Sequence, residues 1–103
     1  MIRGGRRAGT RSLVVHLLPA EPTVHRPARA GFVVSGKIGN SVVRHRITRR
    51  LRPLVSDRLT TLPPGTDLVI RALAPAAAAS SAELAADLDA GLRSACRKAG
   101  IQR

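Results

Sequence analysis

The densest chemistry in this chain lies between Gly36 and Arg52: Gly36-Lys37-Ile38-Gly39-Asn40-Ser41-Val42-Val43-Arg44-His45-Arg46-Ile47-Thr48-Arg49-Arg50-Leu51-Arg52. Five arginines fall within nine residues, from Arg44 to Arg52. A guanidinium is a planar, permanently charged fork that matches phosphate oxygens. The Gly36–Gly39 segment reads as a turn, and a helix starts near Asn40 or Ser41, either of which can cap its free N–H groups. A helix N-terminus is itself an anion site. Val43, Ile47, Leu51 and Leu54 keep helical spacing and mark a buried stripe. At about 100° per residue, His45, Arg46, Arg49 and Arg52 fall largely on the opposite side, with Arg44 and Arg50 near the stripe's two borders. Such a strip is suited to a nucleic-acid backbone. If about six phosphates are neutralised, affinity falls around a thousandfold between roughly 50 and 200 mM salt. A merely solvated charged face is the alternative, but like charges this close destabilise the helix unless something neutralises them.

No other constellation offers catalysis. His16, His25 and His45 are scattered, and none has metal-ligand spacing with a cysteine or a carboxylate. Cys96, the single cysteine, falls on the apolar side of a helix and reads as a buried structural thiol. It excludes a disulfide framework and points to a reducing, intracellular, cytoplasmic setting. Asp87 and Asp89 share a helix but point in different directions. Arg71 alternates onto the face opposite Leu68 and Ile70, where it either lines a cleft or is simply exposed.

Composition agrees with a polyanionic partner. The 103 residues carry 18 Lys+Arg against 6 Asp+Glu, a formal charge of +12, and 16 of the 18 cations are Arg. Residues 1–58 hold 13 basic and 2 acidic side chains, whereas 59–103 hold 5 and 4. An Arg- and Ala-rich proteome would supply some of this bias. Phe32 is the only aromatic residue, so base stacking on aromatic platforms has little scope. At 44% apolar the chain is not a disordered basic tail. It has no apolar run long enough for a membrane span and no signal-peptide h-region at its start.

The elements that must position the arginines follow from period and punctuation. Residues 1–11 read as a basic, Gly-rich segment without period, and 12–99 as the core of one domain spanning 1–103. Residues 12–18 and 30–36 read as strands, the first with Leu13, Val15 and Leu17 on one face, the second with Phe32 and Val34. Residues 19–29, with three prolines, form the loop between them. Pro53 is expected to kink or end the Arg-rich helix. Leu62–Thr66 is a turn and Asp67–Leu73 a third strand. Ser80 and Glu83 make a capping box for a last helix. Leu84, Leu88, Leu92, Ala95, Cys96 and Ala99 form its stripe, Arg97 and Lys98 suit its C-terminal end, and Gly100 stops it. The order predicts one sheet covered by helices on a face.

The segment from Lys37 to Arg49 resembles the signature of the bacterial ribonuclease P protein component, roughly Lys-x-Gly-Asn-Ala-Val-x-Arg-Asn-Arg-x-Lys-Arg. Lys37, Gly39, Asn40, Val42, Arg44, Arg46 and Arg49 fit it. Ser41, His45 and Thr48 depart from it. Arg29–Ser35 is similar to the family's Arg-x-Gly-apolar-x-Val-Ser segment, and Asp67–Leu73 with Ala74-Pro75 to its next strand and ending. The resemblance spans about residues 5–99. It implies an α+β fold, a ribosomal-protein-like two-layer α/β sandwich with about four strands and a left-handed strand–helix–strand crossover. It implies a subunit of the endoribonuclease that removes 5′ leaders from precursor tRNA, with the metal-dependent chemistry on the RNA subunit. The implied partners are ribonuclease P RNA and precursor tRNA, with no membrane and no protein partner required. The protein itself would bind no cofactor, Mg2+ acting with the RNA. By this resemblance Lys37, Asn40, Arg44, His45, Arg46, Arg49, Arg50 and Arg52 contact RNA, and His16, Phe32, Ser35 and Arg71 line the leader cleft. The family usually opens with a helix carrying cleft aromatics. Met1 falls where that helix would end, and His16 stands where a Tyr is frequent, which implies weakened leader binding with docking to the RNA retained.

Two other classes remain open on the residues alone. One is a non-enzymatic ribosomal or RNA-assembly protein. The other is a DNA-binding regulator reading duplex with residues 40–59, which would require a short helix where a strand precedes.

Overall fold

The structure, a computed structural model, describes residues 6–20, 23 and 25–101. In chain order it contains β1 (Arg6–Gly9), β2 (Leu13–Leu18), β3 (Arg29–Val33), α1 (Ser41–Leu59), β4 (Asp67–Ala72), a 3-10 turn (Ala74–Ala78) and α2 (Ser81–Ala99). The sheet order is β1-β2-β4-β3. β2 is antiparallel to both neighbours, while β3 and β4 run parallel and are joined across α1. Both helices pack on one face, α2 over β1 and β2 and α1 beside β3. The result is an α+β two-layer sandwich.

One-sided packing follows from the alternation. Leu13, Val15 and Leu17 of β2 and Leu68, Ile70 and Ala72 of β4 are buried beneath the helices. Ile47, Leu51 and Val55 of α1 and Leu84, Leu88, Leu92, Ala95 and Cys96 of α2 close over them. The α1 stripe thus runs on to Val55, with Val43 and Leu54 only partly buried at its margins. Cys96 is a free, buried thiol. The two helices are fastened by Arg58, whose Nε and Nη2 donate to Asp89 Oδ1 at 2.6 Å and Oδ2 at 3.0 Å. This pairing raises the Arg58 pKa. Asp87, two residues away, instead accepts from the Ser12 amide at 3.1 Å and from the Ser12 hydroxyl, pinning the β1–β2 turn to α2.

Two expectations are corrected. The basic N-terminal segment is not outside the core over Arg6–Gly9. These residues pair with Leu17–Val14 as edge strand β1, and Ala8 is buried. Arg6 Nε donates to Lys98 O at 3.0 Å, and Lys98 Nζ to Arg7 O at 2.9 Å, tying the strand to α2. Pro53 neither ends nor interrupts α1, which continues to Leu59. Pro53 and Arg49, whose carbonyl loses its helical N–H partner, both lie on the exposed side of the helix. Between β4 and α2, Ala74–Ala78 forms a 3-10 turn whose Ala76 is fully buried. The capping box of Ser80 and Glu83 and the left-handed Gly100 stop both form as expected, Gly100 at φ 73°.

Close packing of α2 on β2 requires Gly91. A Cβ there would stand 2.6 Å from Val15 Cγ2. Gly91→Ala gains about 1 kcal/mol of helix propensity, yet overpacking costs about 1–3 kcal/mol. A net loss of stability is expected, read as a lower urea midpoint, although the same change in an open helix would stabilise.

Candidate nucleic-acid interface

The start of α1 is built by its sequence. Asn40 has extended backbone and its Oδ1 accepts from the Val43 amide at 3.0 Å. Gly39 leaves room for Val43, whose Cβ would lie 2.9 Å from a Cβ at position 39. Ser35 fastens the turn before it. Its Oγ accepts from the Lys37 amide at 3.2 Å and its carbonyl from the Ile38 amide at 3.1 Å. No acidic residue occupies the first turn of α1, so the positive end of the helix is uncompensated.

The arginines then divide into two sets. Arg49 and Arg52 are exposed, as are His45 and Lys37. Arg46 and Arg50 reach across to the 3-10 turn: Arg46 Nη2 donates to Ala77 O at 3.2 Å and Arg50 Nη1 to Ala79 O at 2.8 Å. These bonds fix the helix while leaving each guanidinium its full charge. Arg44 is partly buried, and its Nε, like that of Arg46, is buried without a hydrogen-bond partner. Among the described residues no ion pair reaches Arg44, Arg46, Arg49, Arg50 or Arg52. The acids are engaged elsewhere: Asp67 with Arg26 and Arg29, Glu83 in its cap, Asp87 with Ser12 and Asp89 with Arg58. The only acid on α1, Asp57, lies near its far end.

The uncovered face of the sheet carries a second feature. Register places Arg7 opposite His16, His16 opposite Val69, and Gly31 beside Val69. These residues, with Arg6, Leu18 and Arg29, line an open cleft of about 540 Å³. Arg71 shares this face but lies farther along β4, opposite Val14 and outside the cleft lining. Ser35 is exposed in the turn before α1, also outside it. Phe32 belongs to the other layer. It pairs in parallel register with the buried Ile70, so its ring points to the helix side, among Arg44, His45 and Thr48. Of the four residues expected in the cleft, His16 alone lines it. Reasoning from sequence missed Arg7, Arg29 and Val69, although Arg29 opens the family-like Arg-x-Gly segment and so carried a signal.

No metal-binding cluster of three or more His, Cys, Asp or Glu side chains is present among the described residues. No helix among them is long and apolar enough to cross a membrane.

Comparison with known proteins decides the family. The family model described as Ribonuclease P matches residues 1–96. The chain belongs to the ribonuclease P protein family. A ribonuclease P protein component from a Nocardioides species is 57% identical over 88 residues, which are 85% of this chain and 75% of that protein. One from Streptomyces bikiniensis is 52% identical over 98 residues, covering 89% and 80%. Among solved structures, the Staphylococcus aureus RNase P protein superposes with a TM-score of 0.75 at 25% identity, covering 88% of this chain and 81% of that one. The Thermotoga maritima RNase P protein has the same fold at 20% identity, with a TM-score of 0.70 over 90% and 83%. Within this ribonuclease P protein, the two charged surfaces lie on different layers, α1 on one and the cleft on the other.

Asp67 at the cleft edge gives a pH prediction. Arg29 Nε at 2.7 Å, helped by Arg26 Nη2 at 3.0 Å, holds its carboxyl below the usual carboxylate range. A lowered folded-state value means the stabilisation is present above the unfolded value of about 3.9 and is lost as pH falls through the folded one. The partners are partly exposed, so it amounts to at most about 1 kcal/mol. Asp67→Asn is expected to be slightly less stable at neutral pH and to lose less stability than the parent on acidification below about pH 4, measured by urea midpoints.

Proposed function

We propose that this chain is the protein subunit of a cytoplasmic ribonuclease P, with α1 docked on the catalytic RNA and the open sheet face holding the 5′ leader of precursor tRNA. The observation that carries this reading is the face of α1 with the turn before it, where Lys37, Arg44, His45, Arg49 and Arg52 have no acidic partner among the described residues. Arg46 and Arg50 add charge from fixed positions. Phosphates supply the missing counter-charge, and the Asn40 end of the helix adds its free N–H groups. The protein contributes no reacting group. Hydrolysis of the leader bond belongs to Mg2+ held by the RNA, and this chain's residues lower the repulsion between the two RNA molecules. No protein partner is needed for this role.

The cleft suits a single strand. Arg7 and Arg29, the latter with its Nε on Asp67, flank a floor of Val69 and Gly31, so guanidinium groups lie beside an apolar base-sized surface. An RNA-assembly protein without a processing role is the second reading. Selective binding of ribonuclease P RNA over ribosomal RNA separates the two.

Cleavage of precursor tRNA by the cognate RNA at low Mg2+ is expected to rise strongly when the protein is added. Arg49→Gln with Arg52→Gln tests α1 without touching its internal bonds. Each replaced phosphate contact should lower the log–log salt slope of RNA binding by about one. An unchanged slope and undiminished stimulation would remove α1 from the interface. Gly31→Val tests the cleft separately. A Cβ at position 31 meets nothing within 4 Å, so folding should be unaffected or slightly favoured. Filling the floor is expected to reduce discrimination of precursor over mature tRNA while RNA docking persists, measured by competition binding to the holoenzyme.

A further inference from the structure

A groove on the helix layer, distinct from the cleft, lies between the end of β3 and α1. Phe32 and Val34 form one wall, and Arg44, His45, Thr48 and Arg52 form the other. Its volume is about 580 Å³, within the roughly 300–1,000 Å³ of small-ligand sites. Phe32 is the only Phe, Tyr or Trp side chain of the sequence, and it is half-buried here, packed against the margin of the core. The Arg44 Nε is buried without a hydrogen-bond partner. A buried, unpaired guanidinium donor costs stability until a partner arrives. Thr48 Oγ1 donates to Arg44 O at 3.1 Å, which leaves its oxygen free to accept.

We propose that this groove takes one unpaired nucleotide of the RNA, its base against Phe32 and its phosphate between Arg44 and Arg52. This rests on the reading of α1 as the RNA-docking helix and specifies what that helix recognises. A phosphate alone would need only the cations and would leave the apolar wall of Phe32 and Val34 unused. A base inside a duplex has both faces covered by its neighbours, so the ring can meet only a nucleotide splayed out of its stack. One ring serves one base, in keeping with the scarcity of aromatic residues. The Thr48 oxygen can accept from an amino or imino group on the base edge. α1 thereby reads an RNA feature, a displaced nucleotide, in addition to charge.

The chain contains no tryptophan, so Phe32→Trp provides a single reporter. Titration with full-length ribonuclease P RNA is expected to quench its emission at least twofold, following the binding curve measured in parallel by filter retention. Phe32→Leu keeps an apolar side chain but removes the ring. It should bind that RNA about fivefold or more weakly, with an unchanged salt slope when measured well below its own thermal midpoint, whereas Arg44→Gln should lower the slope. Tight binding with unchanged Trp emission, or parental affinity in Phe32→Leu, overturns the nucleotide site and leaves the docking helix standing. Absence of salt-sensitive binding by the parent chain overturns the docking reading itself, and this inference with it.

Discussion

The rest of the molecule depends on a single limit: two helices can cover only one face of a four-stranded sheet. A chain of this length builds one thin core. The core is made wherever the alternation of β2 and β4 meets the stripes of α1 and α2, and it closes tightly enough that Gly91 cannot carry a side chain over Val15. The opposite face is therefore left to water. It tolerates exposure because charged and small residues are placed among its valines: Arg7 and Gly9 on β1, Arg29 and Gly31 on β3, Arg71 on β4. The same arrangement that lets the bare face meet water gives it the cations and apolar floor that the proposed leader site calls for.

The second limit is acid. Six carboxylates must hold together a chain with 18 cationic side chains. Among the described residues they fasten the interior: α1 to α2 through Asp89, the β1–β2 turn to α2 through Asp87, the approach to β3 through Asp67. Among the described residues none pairs with the arginines at the front of α1. The excess charge is thus concentrated by the fold rather than spread evenly over the surface.

Much of this was legible in the residues. The helix stripes, the Asn40 and Ser80 caps, the Gly100 stop and the three longer strands all follow from local chemistry, and the Lys37–Arg49 signature identified the family. The rest depends on tertiary partners. Arg-Arg-Ala-Gly has no strand preference of its own and becomes β1 by pairing with β2 and tying to Lys98. Pro53 does not end α1, and it sits with Arg49 on the exposed side, a fact of orientation. Phe32 shares a strand with cleft residues, but which face it takes is set by register with Ile70. Arg46 and Arg50 look like free cations until the 3-10 turn brings carbonyls to them.

Those two bonds explain how a strongly repulsive helix stays in place before any polyanion arrives. Ile47, Leu51 and Val55 anchor its apolar stripe, and Arg58 clasps Asp89 near its end. Between them, Arg46 and Arg50 turn outward-prone side chains into braces, each satisfying a carbonyl while keeping its charge. The repulsion among the remaining arginines is then held against a rigid support instead of being relieved by fraying. Pre-placed charge costs little further ordering when RNA binds, so more of the phosphate attraction remains as affinity. The buried, unpartnered Nε of Arg44 belongs to the same logic: under the proposed docking it is a donor held ready for the RNA.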